Sequence, residues 1–202
     1  MRIGILAVQG AVAEHKAAVE RTLQMKKLEG EVVLVRDRGA LESSDALIIP
    51  GGESTTISKL IVKFQLADLI KHRVKAENFP VMGTCAGSIL LASKGDEEVK
   101  KTGTILLELM DFSVVRNAFG SQRESFEMPL TIKGIAPESQ PFPGVFIRAP
   151  LIMETRGSCE SLGSLPDGTG IIAARQNKLL ALVFHPELTG DLRIHEYFIE
   201  TI

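Results

Sequence analysis

Three short strings in this chain hold residue types that together can open an amide or ester carbonyl. The first runs from Pro80 to Ala92, where an apolar strand enters Gly83-Thr84-Cys85-Ala86-Gly87 and leaves as an apolar helix. That is the G-x-C-x-G pattern of a nucleophile elbow with cysteine in the serine position. Small neighbours tolerate the sharp turn. The following helix turns free N–H groups and the positive end of its dipole toward the thiol, which favours the thiolate. An isolated cysteine is most often inert core filler; the elbow around Cys85 argues for a nucleophile.

A thiolate that attacks an amide needs a proton donor for the leaving amine. His185-Pro186-Glu187 follows the apolar run Leu179 to Phe184 and would end at the same sheet edge as the elbow. In extended chain, residues two apart face one side, so Glu187 can orient the His185 imidazole and stabilise its protonated form, with Pro186 keeping the segment out of a helix. The third string is Leu47-Ile48-Ile49-Pro50-Gly51-Gly52-Glu53-Ser54-Thr55-Thr56, a buried strand ending in two glycines before a Ser or Thr helix cap. The amides of Gly52 and Ala86 could form an oxyanion hole.

These strings need a scaffold that delivers them to one edge. Strand-like runs at residues 2–8, 31–35, 46–50 and 80–83 alternate with helical spacing at Val12, His15, Val19 and Leu23, then at Leu60, Phe64 and Leu69. The alternation predicts an α/β fold of three layers, a mostly parallel sheet with helices on both faces. Runs at 111–115, 125–132, 144–148 and 170–184 have few helices between them and predict an antiparallel extension, with a hairpin at Gln176-Asn177. A last helix from Asp191 would carry Leu192, His195 and Ile199 on one face, and the charged stretch 96–104 reads as a surface loop.

At 202 residues and 45% hydrophobic content, the chain suits one domain spanning 1–202. A net charge of -2 with scattered Lys and Arg gives no footprint for nucleic acid or an anionic membrane. No apolar run approaches the roughly 20 residues of a membrane-spanning helix. Cys85 and Cys159 lie in unlike surroundings without a secretion signal, which points to a reduced, cytoplasmic protein. Cys159, outside any elbow, reads as structural or incidental. His15, His72, His185 and His195 lack zinc-ligand spacing, so no metal is expected.

Read in chain order, Pro-Gly-Gly-Glu-Ser, Gly-Thr-Cys-Ala-Gly and His-Pro-Glu make the sequence resemble the class I, or triad, glutamine amidotransferases. Further strings bring it closest to the glutaminase subunits of pyridoxal 5'-phosphate synthase: Val8-Gln9-Gly10-Ala11-Val12 with Glu14-His15, Arg116 to Gln122, Ser125-Phe126-Glu127, and Gly144 to Pro150. The resemblance covers essentially the whole chain. It implies a flavodoxin-like fold, Cys85 as nucleophile, His185 as acid/base and Glu187 as its orienting partner. It implies L-glutamine contacts at Gly52, Glu53, Ser54, Arg116, Ile147 and Arg148, with either arginine open as the carboxylate partner. It further implies a synthase subunit of barrel type that receives the ammonia, met through Gln9 and Gly10, and no cofactor in this subunit. Two other readings stay open: a glutaminase serving a different synthase, and a noncatalytic module that regulates its partner.

Overall fold

The computed structural model describes residues 1–119, 125–137 and 139–202. The first half alternates strand and helix: β1 (Arg2–Leu6), α1 (Val12–Lys26), β2 (Glu31–Val35), α2 (Arg38–Glu42), β3 (Ala46–Ile49), α3 (Ser54–Lys63), α4 (Ala67–Glu77), β4 (Val81–Thr84), α5 (Ala86–Leu91), β5 (Ala92–Gly95) and α6 (Glu97–Thr102). The second half is strand-rich: β6 (Met110–Val115), β7 (Ser125–Leu130), β8 (Phe142–Ile147), β9 (Leu151–Thr155), β10 (Glu160–Ser164), β11 (Ile171–Gln176) and β12 (Leu179–Leu182), closed by α7 (Arg193–Ile199).

The main sheet has the order β2-β1-β3-β4-β12-β11-β9-β6-β5, with β10 also paired to β11. From β2 to β12 all neighbours are parallel. Strands β3, β4 and β12 are buried at every position, as strands covered on both faces must be. Strand order reverses at β1, and right-handed crossovers then put α1 on one face and α2, α3 and α4 on the other. Contacts of α7 with α1 and of α5 with α3 complete the three layers. Such a reversal opens a crevice beyond the carboxyl ends of the strands, where ligands of doubly wound sheets bind. No helix among the described residues is long and apolar enough to cross a membrane.

The antiparallel extension consists of β11, β10, β9 and β6; β12, expected within it, is antiparallel to β11 but joins the parallel half through its pairing with β4. The predicted strands around 125–132 and 144–148 do not join it. As β7 and β8 they pair with each other in a separate two-stranded sheet, in a register that sets Pro129 opposite Pro143. Neither proline can donate to a ladder, and such strands are confined to edges. Phe126 of β7 stacks on Phe146 of β8 with centroids 4.7 Å apart, and Phe146 meets Phe184 at 5.8 Å. This aromatic cluster seats β8 beside the residue that precedes His185.

Three local expectations need correction. Residues 96–104 are not a loop: Asp96 Oδ1 accepts the N–H of Val99 at 2.9 Å, capping α6, and Gly103 at φ 65° ends it. The spacing of Leu60, Phe64 and Leu69 does not belong to one helix. Gln65 at φ 56° breaks the run, and the buried residues are Ile57 and Ile61 on α3, then Leu66, Leu69 and Ile70. Finally, Glu53 rather than a Ser or Thr caps α3, its Oε1 accepting from Thr55 N at 3.2 Å.

Candidate active site

Cys85 sits between β4 and α5 at φ 46° and ψ -107°, a conformation that non-glycine residues rarely adopt. The turn is made possible by close backbone packing: a Cβ on Gly87 would lie 2.0 Å from Ile49 O, and one on Gly83 would lie 2.6 Å from Gly87 O. The Cys85 N–H donates to Leu182 O at 2.8 Å, so Cys85 is stitched to β12. In the parallel β4–β12 register Thr84 lies opposite Leu182, and both strands deliver their carboxyl ends to the same edge.

His185 emerges there, its N–H held by Val145 O at 2.8 Å. The segment after it is a 3-10 turn, Pro186–Leu188, rather than extended chain. Proline occupies its first turn, where a missing N–H is harmless. Glu187 is nevertheless brought back onto the imidazole, with Oε1 2.7 Å from Nδ1. Burial opposes the charge on His185, but hydrogen bonds to Cys85 and Glu187 outweigh it and raise the imidazole to about 10. It is therefore poised as an imidazolium proton donor.

Gly52, Glu53, Ser54, Cys85, Ala86, Arg116, Ile147, Arg148 and His185 line one cavity of about 180 Å³ together with Ile89, Asn117 and Pro150. Every catalytic or glutamine-contact position expected from the sequence except Glu187, which stands behind His185, thus borders the same space. Ile147 presents its carbonyl 3.8 Å from Cys85 Sγ. Arg116 is already engaged, pairing with Glu53 Oε1 at 2.7 Å. Arg148, exposed and at φ 44°, has no ion pair or hydrogen bond among the described residues. Ser54 Oγ is buried with no hydrogen-bond partner there, an orphan that a ligand could satisfy. Below the cavity, Gln9 Oε1 accepts the Glu53 N–H at 2.8 Å, and Ala11 N donates to Gly51 O at 3.0 Å, fixing the Gly51–Gly52 peptide plane. Among the described residues no group of three His, Cys, Asp or Glu is arranged to hold a metal. Gly120, Ser121 and Gln122 of the Arg116 string lie outside the described residues.

A model of the SNO glutamine amidotransferase family matches residues 5–202. The chain belongs to this family. Over 200 residues it is 52% identical to the pyridoxal 5'-phosphate synthase subunit PdxT of Archaeoglobus fulgidus, covering 99% of this chain and 98% of that protein. PdxT of Methanosarcina barkeri is 48% identical over 202 residues, covering 100% of this chain and 98% of its own. A crystal structure described as a glutamine amidotransferase has a TM-score of 0.84 at 42% identity, over 98% of this chain and 97% of that one. PurLQS from Thermotoga maritima, at 12% identity, a TM-score of 0.64 and coverage of 100% and 96%, shares the fold alone.

Behind Cys85 and His185 of this amidotransferase-family chain stand polar side chains whose contacts the sequence does not reveal. Thr84 Oγ1 accepts the Gly51 N–H at 3.0 Å, and His15 lies 3.0 Å from the same hydroxyl. One signal was present: His15 occupies the stripe of α1 that also buries Ala18, Val19, Thr22 and Leu23. A polar residue in such a stripe needs a partner. Cys159, by contrast, is buried away from the cavity, and burial, then Asp111 and Glu160, push its thiol up to about 11.

Proposed function

We propose that residues 1–202 form a single glutaminase domain that hydrolyses L-glutamine and passes the ammonia to a pyridoxal 5'-phosphate synthase subunit. The observation that carries this reading is the Cys85–His185–Glu187 arrangement at the rim of a cavity of about 180 Å³. Cys85 Sγ attacks the side-chain amide carbon, and the amides of Gly52 and Ala86 receive the negative charge that develops on oxygen. Imidazolium at His185 protonates the departing nitrogen, leaving a thioester on Cys85 and free ammonia. The neutral imidazole then takes a proton from water, whose oxygen attacks the thioester and releases glutamate with the thiolate restored.

Arg148, unengaged at the cavity wall, is the cation we assign to the glutamine carboxylate. Arg116 instead holds Glu53 at the mouth, and Glu53, Ser54 and the Ile147 carbonyl are assigned to the α-ammonium end. The synthase subunit, of barrel type in our reading, docks at Gln9 and Gly10, beneath the Gly51–Gly52 peptide. Two unbridged cysteines fit a reducing compartment, and we assign the protein to the cytoplasm, without nucleic-acid or membrane partners. The test is glutamate release from glutamine with and without the synthase subunit, using Cys85→Ala as blank. Cys85-dependent release stimulated by the subunit supports the proposal; release retained in the blank, or absent under both conditions, overturns it.

A further inference from the structure

Behind the triad, a line of buried polar side chains connects two helices to the catalytic carboxylate. His15 on α1 and His195 on α7 are both fully buried. His15 Nε2 lies 3.0 Å from Thr84 Oγ1 and 3.3 Å from Glu187 Oε2, while its Nδ1 lies 3.1 Å from His195 Nε2. Two atoms at this cluster make no hydrogen bond, Glu187 Oε2 and His195 Nδ1. The short distance from His15 to Glu187 is thus an electrostatic approach rather than an aligned hydrogen bond.

The tautomers follow from what each ring faces. With protons on both Nε2 atoms, His15 turns an N–H toward Thr84 and Glu187 and accepts the His195 proton at Nδ1. His195 Nδ1 is then a bare lone pair. The opposite tautomers would aim a lone pair at a carboxylate and leave a buried N–H unpaired, the rarer and costlier arrangement. Burial first, then the facing His195 and His185, holds His15 well below the ordinary histidine range; burial alone takes His195 to about 4. Both rings are neutral.

We infer that His15 is a positioning residue of the triad, its Nε2–H steadying the second oxygen of Glu187 and the Thr84 hydroxyl, and through them the His185 imidazole and the Gly51 amide. This inference rests on the glutaminase reading for its effect on turnover. The motifs name His15, Thr84 and Glu187 but not their contact, because the four residues come from four separate segments brought together by α1, β4, the turn after β12 and α7.

The test compares His15→Leu, His15→Gln and His15→Asn in the full chain with its synthase subunit. Glutamine supplies its amide N–H at the reach of Nε2; asparagine stops short. His15→Leu is expected to lower kcat roughly 10- to 100-fold, as loss of an orienting outer partner does at other sites, with KM within about twofold. His185 is faced by Cys85, Glu187 and His15, and His15 by His195, His185, Thr84 and Glu187. A loosened Glu187 stabilises the imidazolium less, so the alkaline limb of the rate profile moves to lower pH. His15→Gln restores most of the rate and the profile, and His15→Asn does not. Iodoacetamide alkylation of Cys85 against pH reads the same Cys85–His185 pair without glutamine. A folded His15→Leu with wild-type kcat and profile overturns the inference, as does a loss that follows melting alone with the profile unmoved. Should the leucine variant not fold, equal activity of the Gln and Asn variants overturns it. Absence of glutamate release by the wild type sinks the glutaminase reading only, because the alkylation profiles still score His15.

Discussion

Replacing Gly51 by alanine adds one methyl group between the nucleophile and its base. The new Cβ would lie 2.4 Å from His185 Cε1, 3.0 Å from Nδ1 and 3.2 Å from Cys85 Cβ. Ordinary contact begins at 3.4 Å, so the imidazole must retreat by about 1 Å or the loop must lift by as much. A displacement of about 1 Å from productive geometry slows a reaction roughly 100-fold, or about 2.7 kcal/mol in the barrier. The overpacking itself destabilises by about 1–3 kcal/mol. The assay is glutamate release at saturating glutamine in the presence of the synthase subunit, beside a thermal melt. Gly39→Ala is the control: a Cβ there meets only Asp37 Oδ1 at 3.5 Å, within α2. It should leave turnover unchanged and raise stability by about 0.5–1 kcal/mol. A folded Gly51→Ala variant whose kcat stays within about threefold of wild type would refute the claim that this glycine makes room for the Cys85–His185 contact.

Arg148→Ala should raise KM for glutamine by roughly tenfold or more, the loss of a charged hydrogen bond, with kcat nearly preserved; steady-state kinetics with an unchanged KM would remove Arg148 from the carboxylate site. Cys159, with its thiol pushed up to about 11 and buried, should stay unmodified at pH 7.5 while iodoacetamide adds once to Cys85. Intact mass of wild type and Cys85→Ala checks this, and an adduct on the alanine variant contradicts it. Because His195 titrates near 4 in the folded chain against an ordinary 6.5, the unfolded chain binds the extra proton between those values. Stability should therefore be intact above pH 6.5 and fall as pH drops toward 4, by up to about 3 kcal/mol. Melts at pH 7.5 and 4.5 with equal midpoints would argue against a neutral buried His195.

The juxtaposition of Cys85, His185 and Glu187, the proposed triad, could be read from the sequence because each part is written in contiguous chain. Cys85 has its glycines on either side, and His185 stands two residues from Glu187, so even a misjudged backbone, a 3-10 turn in place of extended chain, left the pair in contact. The parallel strands β1 to β4 were equally legible from their apolar runs alternating with helical spacing, whereas β12, an unbroken apolar run expected in the antiparallel extension, pairs parallel with β4. What failed depended on long-range pairing or on how charge was weighed. Residues 125–130 and 142–147 alternate like ordinary strands, and only the opposed prolines at 129 and 143 warned that they would stand apart. Helix α6 carries Asp96 before its first turn, Lys100 and Lys101 in its last and Gly103 after it; its charges concealed a complete set of helix boundaries. The pairing of Arg116 was not legible in the sequence, because Glu53, the group that holds it, lies 63 residues away.

Strands β4 and β12 are immediate neighbours, and the Cys85 N–H is itself bonded to Leu182 O. Cys85 is therefore bonded to the strand that leads into His185, its proposed base, while His185 itself is held by Val145 O of β8. Parting β4 from β12 would tear the central sheet; a shift of β8 would bear on the imidazole alone. On the proposed reading, a restraint on the isolated subunit can leave the central sheet whole and act on the peptide planes at Gly51–Gly52, on the cavity wall at Arg148, or on the β8 strand that holds the imidazole. The thiol is the fixed point against which all three are set.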